Sequence, residues 1–324
     1  MQMRRIGIAA VVVLLLSVGV LFAAAEREAV PFPQERGIRM AVPYGAGGGV
    51  DISARILASV APEFVGQRID IVAMPGAGGQ EAINFVLQQP KDGYTLLITD
   101  YGPLVTTALT EQVNYELEDW VPIFQITEVQ PIFFVRADSP IETVEDWITM
   151  AKEEPGRFAV GHGRHLSVPH LPLILFEQEA GIENTHIPTT GGAEALAFIL
   201  GGQTDIGASV PSTIAGAVAS GDVRALAVAS PARSQVLPNV PTLQELGYDV
   251  MLPAWYTIFA HKDVPVERMK YLEEKFMEGM LSASAKAMAD RTRVELTLYG
   301  MEETAVFYQN TVESLKSLLE FIGE

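Results

Sequence analysis

The sequence contains no cysteine. That excludes a disulfide framework, a lipid-anchored cysteine and a cysteine nucleophile. Basic residues are scarce: 22 Lys and Arg stand against 40 Asp and Glu, a formal net charge of -18. Such a chain is a poor partner for nucleic acid or for an anionic membrane surface. Catalytic signatures are missing too. There is no Gly-x-Ser-x-Gly elbow, no His-Glu-x-x-His and no phosphate loop ending in Gly-Lys-Ser or Gly-Lys-Thr, so neither an enzyme nor a cofactor is expected. Past residue 25 no apolar run is long enough to span a bilayer.

What is present begins with an export signal. Arg4 and Arg5 precede an almost wholly apolar stretch over 6–22, and Ala23-Ala24-Ala25 supplies small residues for cleavage before Glu26. The alternative is an uncleaved anchor, since residues 6–25 approach a membrane-spanning length. Either way the rest of the chain is exported, and the mature protein is expected to be soluble and extracytoplasmic, in the periplasm. With 324 residues, 48% of them hydrophobic, it has material for two domains with sizeable cores.

One stretch organises the remainder: Met40-Ala41-Val42-Pro43-Tyr44-Gly45-Ala46-Gly47-Gly48-Gly49-Val50-Asp51. The apolar run 38–42 reads as a buried strand. A proline and a glycine cluster end it. Ile52, Ile56, Leu57, Val60 and Phe64 then fall at helical spacing. Glycines at a helix start leave amide N–H groups uncovered, and these bind anions together with the helix dipole. The loop is therefore expected to hold one end of a small carboxylate. The negative net charge does not forbid this, because fixed amide dipoles at short range outweigh distant, screened surface charge.

A second strand at 68–73 leads into Met74-Pro75-Gly76-Ala77-Gly78-Gly79-Gln80, an echo of the first loop, then a helix to about residue 89 and a third strand at 94–99. Three strand–helix repeats imply a parallel sheet with helices on both faces. Ligands sit beyond the carboxyl ends of such strands, where both glycine loops and Thr99-Asp100-Tyr101 lie. Residues 121–135 read as two strands split near Gln130-Pro131. Asp138-Ser139-Pro140 marks the expected crossing into a second domain. Thr143 is placed to cap a helix over 143–154, with Asp146 three residues on. Alternating strands and helices then build a second α/β domain to residue 229. Residues 254–260 read as a strand returning to the first domain. Helices at 265–281 and 302–322, with a strand at 295–298 between them, complete it. The expected division is a signal segment at 1–25, a discontinuous first lobe at 37–137 plus 258–324, and a second lobe at 138–257. Two crossings between α/β lobes make a hinge with a cleft.

These residues carry a resemblance. The run 42–51 resembles the first loop of the Bug, or TctC-type, extracytoplasmic solute receptors. Further segments keep order and spacing: Pro75-Gly76-Ala77-Gly78-Gly79, Pro90-Lys91-Asp92-Gly93-Tyr94-Thr95-Leu96-Leu97, Gly201-Gly202-Gln203-Thr204-Asp205, Gly221-Asp222-Val223-Arg224-Ala225-Leu226-Ala227-Val228, Leu237-Pro238-Asn239-Val240-Pro241-Thr242 and Trp255-Tyr256. The resemblance implies a two-lobed, periplasmic-binding-protein-like fold that closes over a small carboxylate, a dicarboxylate or amino acid included. It implies delivery to the integral-membrane permease of a tripartite tricarboxylate transporter, and the chain is expected to act as a monomer. In that family one carboxylate is gripped by loop amides and ordered water. This sequence departs from the family pattern at Asp100 and Tyr101, at Gly161-His162-Gly163-Arg164-His165, at Pro188-Thr189-Thr190-Gly191-Gly192 and at Ala208-Ser209.

The expected ligand-binding residues are Tyr44, Gly45, Ala46, Gly47, Gly48, Asp51, Asp100, Tyr101, His162, Gly163, Arg164, Thr190 and Ser209. Several have competing readings. Gly45-x-Gly47 fits a dinucleotide loop, but Val50 occupies the third glycine position and Asp70 lies inside a strand; a plain tight turn is the other alternative. Asp51 reads as an N-cap or as an orienter of loop amides. Arg164 has the bidentate fork for a distal carboxylate, or is an exposed loop arginine. Asp100 faces a ligand ammonium, pairs with Arg164 across the cleft, or ends a loop in water. Tyr44 and Tyr101 are candidates to wall the pocket. Trp255-Tyr256 lies on the hinge side or packs in the core. His162, His165 and His170 offer metal ligands for an exported metal-binding or ligand-sensing protein, although no carboxylate motif flanks them and their spacing matches no strong zinc pattern; His170 also reads as a packing histidine.

Overall fold

A computed structural model describes residues 31–252 and 254–323. The expected targeting segment, residues 1–25, lies outside the described residues. The chain divides into the units Met1–Glu35 and Arg36–Glu324. In the first, described only from Pro31, the Gln34 N–H donates to the Pro31 carbonyl at 2.8 Å.

The second unit holds two sheets. In chain order its elements are β1 (Ile38–Val42), α1 (Gly49–Phe64), β2 (Ile69–Ala73), α2 (Gln80–Leu87), β3 (Thr95–Thr99), β4 (Trp120–Val129), β5 (Ile132–Arg136), α3 (Val144–Glu153), β6 (Ala159–His162), α4 (His170–Ala180), β7 (Thr185–Pro188), α5 (Gly192–Leu200), β8 (Ile206–Ser209), α6 (Pro211–Ser220), β9 (Val223–Val228), β10 (Ala254–His261), α7 (Val266–Leu281), α8 (Ala283–Thr292) and α9 (Met301–Ile322). The first lobe's sheet runs β2-β1-β3-β10-β4 and the second's β7-β6-β8-β5-β9. Among the described residues no helix is long and apolar enough to cross a membrane.

Both sheets are mixed, which corrects the expectation of a parallel one. The strand–helix repeats give parallel pairs, β1 with β2 and β3, and β6 with β7 and β8. β10 runs antiparallel to β3 and β4, and β5 antiparallel to β8 and β9. Both strands arrive straight from the other lobe, without the helical crossover that would force parallel pairing. The crossing also falls earlier than residue 138. The break is at Gln130-Pro131, where proline cannot donate to a ladder, and β5 already belongs to the second sheet. Around Asp138 there is instead a turn, whose carbonyls at 137, 139 and 141 accept from the Arg224 guanidinium. The return strand, expected over 254–260, does pair in the first sheet from Ala254, ahead of the lobe boundary placed at 258.

Other expectations are met or corrected locally. Thr143 and Asp146 form the reciprocal cap of α3: Asp146 N–H donates to Thr143 Oγ1 at 3.1 Å, and Thr143 N–H to Asp146 Oδ2 at 2.9 Å. Caps of this kind are worth about 1 kcal/mol. The expected strand at 295–298 is an extended segment outside any named strand; only Tyr299 forms an isolated bridge, with Gln125. α8 was not legible, because only Ala285 and Ala289 are buried along it and two alanines carry little periodic signal. The second lobe's core is aromatic, with Trp147 packed 5.0 Å from Phe176 and 5.7 Å from Phe133. In the first lobe Ile38, Met40 and Leu97 are fully buried.

Candidate ligand-binding site

The β1–α1 loop uses part of its donor set on itself. Gly47 adopts a left-handed φ of 83°, a region glycine enters without strain. Its N–H donates to Asp51 Oδ2 at 2.9 Å. Asp51 is held in turn by Arg55, through Nε at 2.8 Å and Nη2 at 2.9 Å. Asp51 sits in the first turn of α1, behind Gly48 at the N-cap, so it orients a loop amide and is not the cap. Gly45 N–H donates to the Thr190 carbonyl of the other lobe at 3.3 Å. Ala46 and Gly47 are exposed. What remains for a guest is the first turn of α1, whose leading N–H groups have no intrahelical acceptor.

A cavity of about 40 Å³ lies between the lobes against that turn. This is room for a few water-sized groups. Tyr44, Gly48, Asp100, Gly163 and Ser209, all expected at the site, line it. Gly45, Ala46, Gly47, Asp51, Tyr101, His162, Arg164 and Thr190 do not. Within the loop, the open space therefore begins at Gly48, the last of the four loop positions expected to bind. Gly49 shows why: a Cβ there would stand 2.4 Å from Tyr256 Oη, so glycine is what admits Tyr256 to the wall. The sequence alone allows Tyr256 a place on the hinge side or in the core; in the structure it lines the cavity.

The second lobe supplies hydroxyls and helix ends. Ser167, Ser209 and Thr213 line the cavity, and each has a buried side-chain oxygen without a hydrogen-bond partner. A buried hydroxyl left unpaired costs roughly 1–3 kcal/mol, so three around one small space call for a ligand or water. Ser167 and Thr213 escaped sequence reasoning; serine and threonine are common, and nothing in their spacing marks them. Four helices begin at this wall: α1 at Gly49, α4 after Pro169, α5 after Gly191 and α6 after Val210. Each contributes about half a positive charge at its N-terminus. The arrangement is built to attract an anion.

Asp100 is the exception in this surface. It is 3% exposed. It accepts the Tyr44 hydroxyl at 2.8 and 2.9 Å and the Gly102 N–H at 2.8 Å. Burial raises its pKa to about 6, against the opposing effect of those hydrogen bonds and of the Arg164 charge. Burial, followed by the Asp100 charge, also holds the Tyr44, Tyr101 and Tyr256 phenols well above their ordinary range. Tyr101 packs inward, edge-on to Trp255 at 6.5 Å, and does not wall the pocket.

Arg164 is neither an exposed loop residue nor a partner of Asp100. Its Nη2 donates to Glu111 at 3.0 Å and its Nη1 to the Gly102 carbonyl at 3.3 Å, and its side chain is 15% exposed. Both acceptors belong to the first lobe, so Arg164 ties the lobes together at the rim. Thr190 does the same through its carbonyl, while its hydroxyl and N–H donate to Glu194.

The histidines form a separate cluster in the second lobe, joined by His186 from β7, which the sequence reading did not include. Ring nitrogens of His162, His170 and His186 lie within 4.8 Å of one another. The hydrogen bonds argue for a wired network. Leu166 N–H donates to His170 Nδ1 at 2.8 Å, so the His170 proton sits on Nε2. That proton points at His186 Nδ1, 2.7 Å away, leaving His186 Nε2 to donate to Glu177 at 2.9 Å. A metal on His170 Nε2 would face a nitrogen whose lone pair is not available. His162 stacks on His170 at 3.8 Å, the rings 6° apart. Burial, then the nearby His186, lowers its pKa to about 4. His165 lies against the same ring at 5.2 Å.

Comparison with known proteins agrees with this geometry. The family model for the tripartite tricarboxylate transporter family receptor matches residues 53–323. A Cupriavidus necator protein, UPF0065 protein in gbd 5'region, is 30% identical over 320 residues, 98% of this chain and 96% of its own length. Protein BugT of Bordetella pertussis is 30% identical over 76% of this chain and 77% of its own. The structure of R. palustris Rpa4515 with adipate superposes with a TM-score of 0.83 at 25% identity, covering 90% of this chain and 99% of that one. The chain belongs to the tripartite tricarboxylate transporter family receptors, the Bug or TctC-type solute-binding proteins.

Proposed function

We propose that this protein is a periplasmic receptor that captures a small carboxylate between its lobes and delivers it to the permease of a tripartite tricarboxylate transporter. One observation carries the reading. Ser167, Ser209 and Thr213, whose buried side-chain oxygens have no hydrogen-bond partner, line a cavity where four helix N-termini meet. A carboxylate there would accept from the hydroxyls and from the first amides of α1. The adipate in the R. palustris relative supports an acid as the ligand class.

The ligand stabilises whichever lobe arrangement completes its contacts, and only that difference in affinity shifts the equilibrium. Closure brings surfaces of both lobes into the geometry that a permease can recognise. Residues 1–25 would export the chain. Nothing at the site pairs a nucleophile with a base, so binding without turnover is the expected activity.

The test is thermal unfolding and calorimetric titration of unliganded mature protein against a panel of mono- and dicarboxylates. A ligand at a hundred times its Kd should stabilise by about 2.7 kcal/mol, raising Tm by several degrees. A panel without any shift or binding heat overturns the proposal.

A further inference from the structure

The cavity wall carries an asymmetry that the receptor reading leaves unused. Its hydroxyls and helix N-termini suit an anion, yet Asp100 also lines it. Among the lining residues Asp100 is the one carboxylate, and no Lys, Arg or His accompanies it. Arg164, the neighbouring cation, is spent on Glu111 and the Gly102 carbonyl. Tyr44 has a single hydroxyl proton to divide between both carboxylate oxygens. Gly102 N–H goes to Oδ1. Oδ2 therefore keeps capacity for a further donor. A buried carboxylate without a cation is costly, and a partner arriving with the ligand would relieve it.

Resting on the receptor reading, we propose that Asp100 makes the site selective for a carboxylate bearing an ammonium group at its far end, and against dicarboxylates. The acid end occupies the hydroxyl and amide donors. The ammonium meets Oδ2 of Asp100 as a charge-assisted hydrogen bond. A second carboxylate in that position would set two acceptors together, which only a shared proton can reconcile. Discrimination is thus tied to the charge on Asp100. The groups facing it are the Tyr44 phenol from the β1–α1 loop, the Tyr101 phenol next along the chain, the Tyr256 phenol from β10 and the Arg164 guanidinium from the loop after β6. The phenols are held protonated by burial and the guanidinium stays charged, so between pH 5 and 8 it is Asp100 whose charge changes.

The experiment is calorimetric titration of unliganded wild-type protein at pH 5 and pH 8 with chain-matched pairs: glycine and malonate, β-alanine and succinate, γ-aminobutyrate and glutarate. At pH 8 the best aminocarboxylate should bind about tenfold or more tightly than its dicarboxylate counterpart. On going to pH 5 that preference should shrink or reverse. In Asp100→Asn the aminocarboxylate should weaken by about tenfold, the dicarboxylate should tighten, and the change of preference between pH 5 and pH 8 should fall to what the dicarboxylate's own second ionisation contributes. Dicarboxylates bound more tightly than their partners by wild type at pH 8 would overturn the selectivity and leave the receptor reading standing. Absence of binding by every acid of both series would overturn both. The wild-type comparison decides the matter alone if the variant does not fold.

Discussion

The Tyr44 hydroxyl bridges both carboxylate oxygens of Asp100, at 2.8 and 2.9 Å, inside the cavity between the lobes. This pair joins the β1–α1 loop to the end of β3, in the wall of the same cavity as the helix N-termini.

Asp100 should tie stability to pH. Its folded pKa, about 6, lies above the ordinary 3.8. The stabilisation associated with its proton is therefore complete below about pH 4 and is lost as pH rises through 6. Asp100→Asn has no such proton. Relative to wild type the variant should gain up to about 3 kcal/mol between pH 4 and 7.5. Urea unfolding of both proteins at several pH values measures this; a constant difference would show that Asp100 titrates normally.

Arg164 joins the lobes rather than reading a second acid group. Its ion pair with Glu111 is half open to water, so Arg164→Gln should change stability by less than about 1 kcal/mol. It should weaken every ligand by a similar factor, because it loosens the closed form itself. Calorimetry with acids of both classes decides. Selective loss of dicarboxylates would return Arg164 to a ligand-contacting role.

Ser167→Ala combined with Ser209→Ala removes two buried hydroxyls that lack partners. The unliganded protein should be unchanged or stabilised, by up to about 1–3 kcal/mol per hydroxyl. Carboxylate affinity should fall by about tenfold or more. Opposite movement of Tm and affinity identifies groups kept for binding. A variant losing both would mark these serines as structural.

Gly49→Ala places a methyl 2.4 Å from Tyr256 Oη and 3.0 Å from Val210 Cγ2. Val210 belongs to the opposite lobe, so the methyl should hold the lobes apart. Ligand affinity should drop steeply, and crowding of the buried Tyr256 ring should cost about 1–3 kcal/mol in urea stability. Small-angle scattering should find the variant no more compact with ligand than without it.

His170→Ala should cost about 2–4 kcal/mol, since it strands the buried Leu166 N–H and His186 Nδ1. His162, whose ring nitrogens have no hydrogen-bond partner, should tolerate His162→Phe better. Its pKa of about 4 lies below the ordinary 6.5. The stability from the neutral ring is present above pH 6.5 and lost as pH falls through 4. His162→Phe should therefore flatten the acid limb of the stability profile. Zinc retained at one per chain after dialysis of wild type would contradict the hydrogen-bonded reading of this cluster.

Most elements were legible because their signals are local. The apolar run of β1, the glycines after it and the helical spacing of Ile52, Ile56 and Leu57 all sit within one stretch of chain. α5 and α6 carry equally plain boundaries, with glycine or proline at the start and glycine just past the end. α8 failed for want of periodicity. The opposite error occurs at 295–298, where a strand is expected but the segment lies beside β4 with only the isolated bridge of Tyr299 to Gln125.

By itself, then, the sequence determined the alternation of strands and helices, the glycine loop with its bare helix start, and the exclusion of cysteine chemistry. Only the tertiary structure decided which donors stay open. Gly47 spends its amide on Asp51 four residues away, but Gly45 spends its own on Thr190, and Arg164 finds Glu111 fifty-three residues earlier. Those pairings depend on how two lobes meet, which no pattern along one segment encodes. The same folding gathers Ser167, Ser209 and Thr213 around one space, where hydroxyls that look ordinary in the sequence become the donors an acid would need.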